Sequence, residues 1–380
     1  MKFITKTHKL LPLFFLLYGC ASNVDLKQEG IAQKIEKTKQ KHANTPISAI
    51  SNNNTELNKE INTENNYLYT SNTEIPLFIN DFIKVNPKIK NPAYIAKILA
   101  QQVPNQTSIK LMMPAKEVSR KNWQVYRSKF IEPIRIKAGQ EFMANNKVLL
   151  DKVQNEYGVD AFIIAAIIGV ESIYGRYVGN FNVLNTLYTL AFYYPDTPNK
   201  ISREIMFQKQ LANYIIWAQE QGNNFNHYGS YAGAMGMPQF MPESIRQYAI
   251  DYDKDGIINL TGSIPDVVAS VANFLKKHGW KTGEKVVLDI EPSYENIALL
   301  KANATGKPQA NLTFNDLPSL NFDYKAIGLA SNTPLLVIDL PSAYDVEYKL
   351  GLYNFYVLTR YNQSFFYALS VYELANAIKY

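Results

Sequence analysis

The sequence predicts a mainly α-helical protein with a small β insertion, an α+β class overall. Three observations carry that prediction. Apolar residues recur at helical spacing between Phe78 and Tyr157. The stretch Asp160 to Gly175 is an almost unbroken apolar run between a good N-cap and a glycine stop. Past Trp280 the pattern changes to short β-branched runs set between Pro, Asn and Gly turns.

Composition agrees with a globular chain of more than one domain. It has 380 residues, 47% hydrophobic and 19% charged, which supplies a real core and excludes collagenous or wholly disordered classes. The net charge of +6 is diffuse and forms no dense Lys/Arg stripe, so nucleic acid is not an expected partner. Four His and one Cys, unclustered, exclude a Cys/His zinc site and a disulfide framework. The 26 Tyr and 19 Phe are an unusual aromatic load, most of which must simply fill the core.

The N-terminus carries Lys2, Lys6 and Lys9, then the apolar run Leu10 to Tyr18 and the small residue Gly19, the layout of a bacterial secretory signal. The run is too short for a membrane-spanning helix, which needs roughly 20 apolar residues. Leu17-Tyr18-Gly19-Cys20 resembles a lipobox, so residues 1–19 are expected to be removed and Cys20 to carry lipid. The other reading is an ordinary secretory signal with an incidental cysteine. Ala21 after the anchor fits sorting to the inner leaflet of the outer membrane, facing the periplasm. Residues 20–74 are rich in Asn, Lys, Thr, Glu and Ser and read as a solvated tether that cannot bury enough apolar surface to order itself.

From Ile75 the pattern becomes globular. Phe78, Ile79, Phe82 and Ile83, then Ile95, Ile98 and Leu99 after Pro92, predict short helices. Trp123 to Ile131 follows, and Phe142, Leu149, Leu150 and Val153 predict one amphipathic helix from Ala138 to Tyr157, ended by Gly158. The helix after Asp160 is apolar on every side and is therefore expected in the centre of the core.

That helix holds one ionisable group, Glu171, near its C-terminus. Burial and the negative end of the helix dipole both disfavour the carboxylate and raise its pKa. A glutamic acid protonated near neutral pH suits a general acid for glycosidic-bond cleavage. An ion pair with Arg176 at the helix end is the structural alternative, and the position alone leaves both open.

Two further stretches stand out. Gly229 to Gly236, followed by Met237-Pro238-Gln239-Phe240, allows close backbone approach to another segment or to an extended ligand. Asp251, Asp253 and Asp255 with Gly256 match the first two-thirds of a calcium loop. Position 12 of that loop is Gly262, and Asp266 is the nearest carboxylate to close the shell; without one, the segment is a polar turn. Strands are expected at Lys285–Ile290, Asn311–Phe314 and Leu335–Leu340, with Tyr344–Leu350 and Tyr353–Thr359 as further candidates.

Five stretches, in order, resemble the membrane-bound lytic murein transglycosylase B family over roughly Phe78 to Tyr380. They are Trp123/Tyr126/Arg127/Phe130, Gly169-Val170-Glu171-Ser172 through Gly175-Arg176, Ser230 to Pro242, the Asp251 loop leading to His278-Gly279-Trp280, and Arg360-Tyr361-Asn362-Gln363-Ser364. The resemblance implies a lysozyme-like helical catalytic core (151–284, with the calcium loop) and an N-terminal helical lobe (75–150). A β insertion (285–350) and a return to the core (351–380) complete it. It also implies a lytic transglycosylase that cleaves the β-1,4 bond of peptidoglycan glycan strands between N-acetylmuramic acid and N-acetylglucosamine, leaving 1,6-anhydro ends. Glu171 is then the single acid and base, and Tyr126, Ser230, Gln239, Tyr361, Asn362 and Tyr367 contact substrate. Structural Ca2+ is held by Asp251, Asp253, Asp255, the Ile257 carbonyl and Asp266, and no organic cofactor is expected. Cell-wall synthesis proteins are the protein partners such an enzyme would have. A hydrolytic muramidase and a non-catalytic peptidoglycan-binding scaffold are the competing readings.

Overall fold

The computed structural model describes residues 74–87, 89–114, 121–317 and 323–379. The expected signal, Cys20 and nearly all of the tether lie outside these residues.

Asparagine side chains start much of the N-terminal half. After α1 (Glu74–Val85), Asn91 Oδ1 accepts the Tyr94 N–H at 3.1 Å to begin α2 (Pro92–Ala100). Asn105 caps α3 (Gln106–Leu111) and Asn122 caps α4 (Trp123–Arg127) in the same way. Each cap satisfies amides that have no partner within the helix.

The long helix expected over 138–157 is two helices, α5 (Pro133–Asn145) and α6 (Lys147–Tyr157). Asn146 separates them at φ −117°, ψ 18°, and its Nδ2 donates to the Phe142 carbonyl at 2.8 Å. A short amide side chain thus competes with the helical ladder, and the apolar spacing on either side conceals the break.

Helix α7 (Ala161–Ser172) starts where expected, with Asp160 Oδ1 accepting the Phe162 N–H at 2.8 Å. Ten of its twelve residues are buried, which makes it the central helix, and α5, α6, α11 and α14 pack around it. Burying side chains such as Ile164, Ile167 and Ile168 completely contributes roughly 1.5–3 kcal/mol each. The helix stops three residues before Gly175, because Ile173 already adopts φ 49°.

Beyond it, β1 (Phe181–Asn182) pairs antiparallel with β2 (Tyr228–Gly229) around α8 (Val183–Phe192) and α9 (Lys200–Glu220). Helices α10 (Pro242–Tyr248) and α11 (Ile264–Lys277) follow. One continuous core runs from Ile75 to Ile378, so the N-terminal helices and the central region share their packing.

The β insertion has a small core of its own, including Leu288, Leu300, Leu335 and Leu350. Its antiparallel sheet has the order β3 (Val287–Asp289), β5 (Val346–Gly351), β4 (Leu336–Pro341), with α12 (Tyr294–Asn303) between β3 and β4 in sequence. The expected strand at Asn311–Phe314 makes a single bridge, Leu312 to Leu335, before the chain turns into a 3-10 helix at Phe314–Asp316. Tyr353–Thr359 is not a strand. It lies in α13 (Tyr353–Tyr361), where buried Phe355 and Leu358 share one face three residues apart. Ser364 then caps the last helix, α14 (Phe365–Ala377). No single helix among the described residues is long and apolar enough to cross a membrane.

Candidate active site

Glu171 sits at the penultimate position of α7, half-buried, with protein packed around its carboxyl group. Tyr367 on α14 donates its hydroxyl to Glu171 Oε1 at 2.6 Å. Burial pushes the Glu171 pKa from 4.5 up to about 7, and the Tyr367 hydrogen bond pulls it part of the way back. The partner is therefore a phenol, not the exposed Arg176.

Two more tyrosines are gathered here. Tyr367 is fully buried, and burial first, then the Glu171 charge, then Tyr361, hold its phenol well above 10. Tyr361 stacks on it with ring centroids 6.2 Å apart and donates its hydroxyl to the Pro238 carbonyl at 2.5 Å. Tyr126 comes from α4, and burial followed by the Glu171 charge pushes its phenol up. Packing of Trp123 and Tyr126 against Phe366, with an Arg127–Glu373 ion pair, ties α4 to α14.

Tyr367→Phe is expected to leave the fold intact and to remove the one hydrogen bond that favours the carboxylate. The Glu171 pKa then rises further, moving the alkaline limb of the rate–pH profile to higher pH. If Glu171 is the acid that the sequence leads one to expect, the rate itself should drop about tenfold, because the carboxylate it leaves behind loses its donor. Initial rates on glycan strands between pH 5 and pH 9 measure both effects.

The glycine-rich stretch folds against the chain itself. Gly179 adopts φ 92° and lies where any Cβ would run into the Gly229 carbonyl, and a Cβ at Gly236 would collide with the Leu260 carbonyl. Ser230 is 2% exposed, and its Oγ accepts the Ala234 N–H at 3.0 Å and the Ala232 N–H at 3.3 Å, so it shapes the loop. Gln239 has φ 48°. Its Nε2 donates to Gly236 O (2.8 Å) and Val178 O (3.1 Å), leaving Oε1 buried without a hydrogen-bond partner among the described residues. Asn362 Oδ1 accepts the Ser364 N–H at 3.1 Å just before α14.

Residues not anticipated from sequence also build the site. Glu373 anchors α4, and Val178 supplies a carbonyl to Gln239. The chain leaves α7 through Ile173, Tyr174 and Gly175, all at positive φ. That conformation costs roughly 1–2 kcal/mol per non-glycine residue, and a β-branched residue there gives no sequence signal.

In the acidic loop, the ligand atoms of Asp251, Asp253 and Asp255 lie within 4.8 Å of one another. Asp251 Oδ2 accepts the Gly256 N–H at 2.9 Å, while its Oδ1 is buried with no partner among the described residues. An orphaned carboxylate oxygen beside two like charges fits a hard cation with oxygen ligands. Asp266 is placed differently from the expected fifth ligand. It is fully buried outside this group, with Oδ1 accepting the Tyr252 N–H and Oδ2 the Asn259 N–H, each at 2.8 Å. It clasps both ends of the loop from the first turn of α11, where a carboxylate is also favoured by the helix dipole. Ile257 is 57% exposed, and its N–H donates to Asp255 Oδ1 at 2.8 Å.

Residues 85–376 match the family described as the transglycosylase SLT domain. The chain is 37% identical over 265 residues to membrane-bound lytic murein transglycosylase B of Escherichia coli (strain K12), a span of 67% of each chain. Its structure is similar to soluble lytic transglycosylase SltB1 from Pseudomonas aeruginosa, with TM-score 0.70 and 34% identity over 80% of this chain and 98% of that one. It is also similar to the Escherichia coli lytic transglycosylase Slt35 in complex with calcium, with TM-score 0.69 and 30% identity over 82% and 94% of the two chains.

Proposed function

Since the chain belongs to the transglycosylase SLT family, we propose that it is a lytic murein transglycosylase in which Glu171 alone serves as acid and base. The supporting observation is the isolation of that carboxyl group. Among the described residues, burial and the Tyr367 phenol are what move its pKa, and no second carboxylate contributes. Glycosidases that use two carboxylates keep them roughly 5–9.5 Å apart, close enough to interact.

With a pKa of about 7, Glu171 is available as a proton donor near neutrality. It protonates the glycosidic oxygen as the bond from the muramic C1 to that oxygen breaks. The resulting carboxylate, held by Tyr367, then accepts the proton of the muramic C6 hydroxyl while O6 bonds to C1. The product carries a 1,6-anhydro ring, water is not consumed, and Glu171 ends protonated. The substrate's own acetamido group stabilises the cationic centre between the two steps.

Tyr126, Tyr361 and Tyr367 then line the sugar site, with Gln239 Oε1, which has no partner among the described residues, as an acceptor and Asn362 placed just before α14. Ser230 contributes chiefly through the loop that it closes. Anchoring through Cys20 to the outer membrane, facing the periplasm, brings this site to the wall. Digestion of purified sacculi, with the released muropeptides weighed by mass spectrometry, tests the reading. Anhydro-ended products support it, and reducing-end products or intact sacculi contradict it.

Asp251, Asp253 and Asp255, with the Ile257 carbonyl, are the residues that would hold Ca2+, and the ion would supply charge neutralisation that pins the loop beside α11. Saturating calcium is expected to raise the melting temperature by about 5 °C, since a ligand at a hundred times its Kd adds about 2.7 kcal/mol. Chelator should reverse the gain, and Asp251→Asn should abolish the response in the same melting experiment.

A further inference from the structure

The left-handed turn after α7 is the joint between the acid and the glycine-rich loop. Ile173 (φ 49°), Tyr174 (φ 56°) and Gly175 (φ 87°) redirect the chain so that Val178 O receives Gln239 Nε2 at 3.1 Å. The same turn brings Gly179 against the Gly229 backbone and sets the Met237 side chain against Gly175. The Tyr177 N–H closes the turn on Ser172 O at 2.9 Å, and Ser172 Oγ accepts the Gly175 N–H at 3.0 Å. Relaxation of Ile173 and Tyr174 to ordinary helical angles would run α7 on beyond Glu171 and separate these contacts.

Strained conformations persist where the surroundings over-determine them. Here the Tyr174 side chain does so. Its phenol fills a cradle made by two glycines on two helices, Gly169 of α7 and Gly139 of α5. A Cβ at Gly169 would meet the Tyr174 hydroxyl at 2.5 Å and ring Cζ at 2.6 Å, and a Cβ at Gly139 would collide with the same hydroxyl. The Phe142 ring closes the cradle, its centroid 5.1 Å from that of Tyr174. Among the described residues, the buried hydroxyl has no hydrogen-bond partner; the Arg135 charge is near it, and the ring is held chiefly by the shape of the cradle.

We propose that Tyr174 is a positioning residue: seated between Gly139 and Gly169, it holds the left-handed turn and thereby keeps the Glu171 carboxyl in register with Gln239. The inference rests on Glu171 being the acid, and it predicts an order of activities that a packing role alone does not.

The test measures kcat, KM and rate–pH profiles of the full chain on uncrosslinked glycan strands, with melting curves for every variant. Tyr174→Phe keeps the ring and should stay within about threefold of the parent kcat. Tyr174→Ala should lose about a hundredfold in kcat, the scale expected for a misplaced catalytic group, with KM within about twofold. Tyr174→Gly removes still more side chain but accepts positive φ, so it should be about tenfold more active than Tyr174→Ala. Gly139→Ala acts from a different helix, at a position where alanine is otherwise the better helix former, and should also lower kcat and displace the alkaline limb. Equal losses in Tyr174→Ala and Tyr174→Gly, a loss confined to KM, or a Phe variant as poor as the Ala variant would overturn the proposal. Reducing-end products from the parent chain would instead overturn the non-hydrolytic reading while leaving the order of kcat values to be judged by itself.

Discussion

Glu171→Gln is expected to lower glycan cleavage by about 10⁴-fold or more while leaving peptidoglycan binding in place. Glutamine keeps the shape of the side chain and can still accept the Tyr367 hydroxyl, now 2.6 Å from Glu171 Oε1. What it lacks is a proton to give and a site to take one back. General acid or base catalysis is worth typically 10²–10⁴-fold per step, and in the proposed mechanism one group serves both steps. Co-sedimentation with sacculi separates binding from chemistry. A Gln variant that still releases muropeptides at a tenth of the parent rate would exclude Glu171 as the acid.

The same substitution should make the fold more stable, and increasingly so with rising pH. The Glu171 pKa is about 7 in the folded protein against an ordinary 4.5. A raised carboxyl pKa costs nothing below the unfolded value, because both states are then protonated. The cost grows as pH rises from about 4.5 to about 7 and is fully present above that, reaching about 3 kcal/mol. Glu171→Gln removes it, so the variant should melt about 5 °C above the parent at pH 8, with the gap closing by pH 4. The penalty is a desolvation cost, and with Glu171 as the proposed acid its pH window also predicts that parent activity declines above about pH 7 as the acid form is lost. Paired melting curves at pH 4, pH 6 and pH 8 check the sign, and a gap independent of pH would mean that Glu171 titrates normally.

The elements most legible in the sequence were those whose signals are local. Asp160 announced the start of α7, and ten buried residues of its twelve follow from an apolar run with one carboxylate. The three acidic residues of the loop stand where their alternate spacing put them. Glu171, Tyr126, Tyr361 and Tyr367 come from three separated segments, and the resemblance of motifs brought them together where periodicity could not.

The misreadings were tertiary. Tyr353 to Thr359 has the β-branched and aromatic content of a strand, yet the main core rewards the helical face of Phe355 and Leu358. Asn146 breaks a helix because its side chain bonds Phe142, which apolar spacing does not record. Asp266 was expected at the cation from its distance in sequence, but two backbone amides of the loop claim its oxygens. The left-handed turn at Ile173 is the least legible feature, since the contacts that favour it, the capping bonds at the end of α7 and the packing of Tyr174 between Gly139 and Gly169, come from the folded chain and leave no local signal.

Digestion of sacculi in ¹⁸O-labelled water, followed by mass spectrometry of the released muropeptides, is the most direct measurement of the central claim. If Glu171 takes the proton of the C6 hydroxyl as O6 closes the ring on C1, the products are lighter than hydrolysis products by one water and carry no label. Labelled reducing ends would show that water attacks C1, and the account of Glu171 as a transglycosylase acid and base would be wrong.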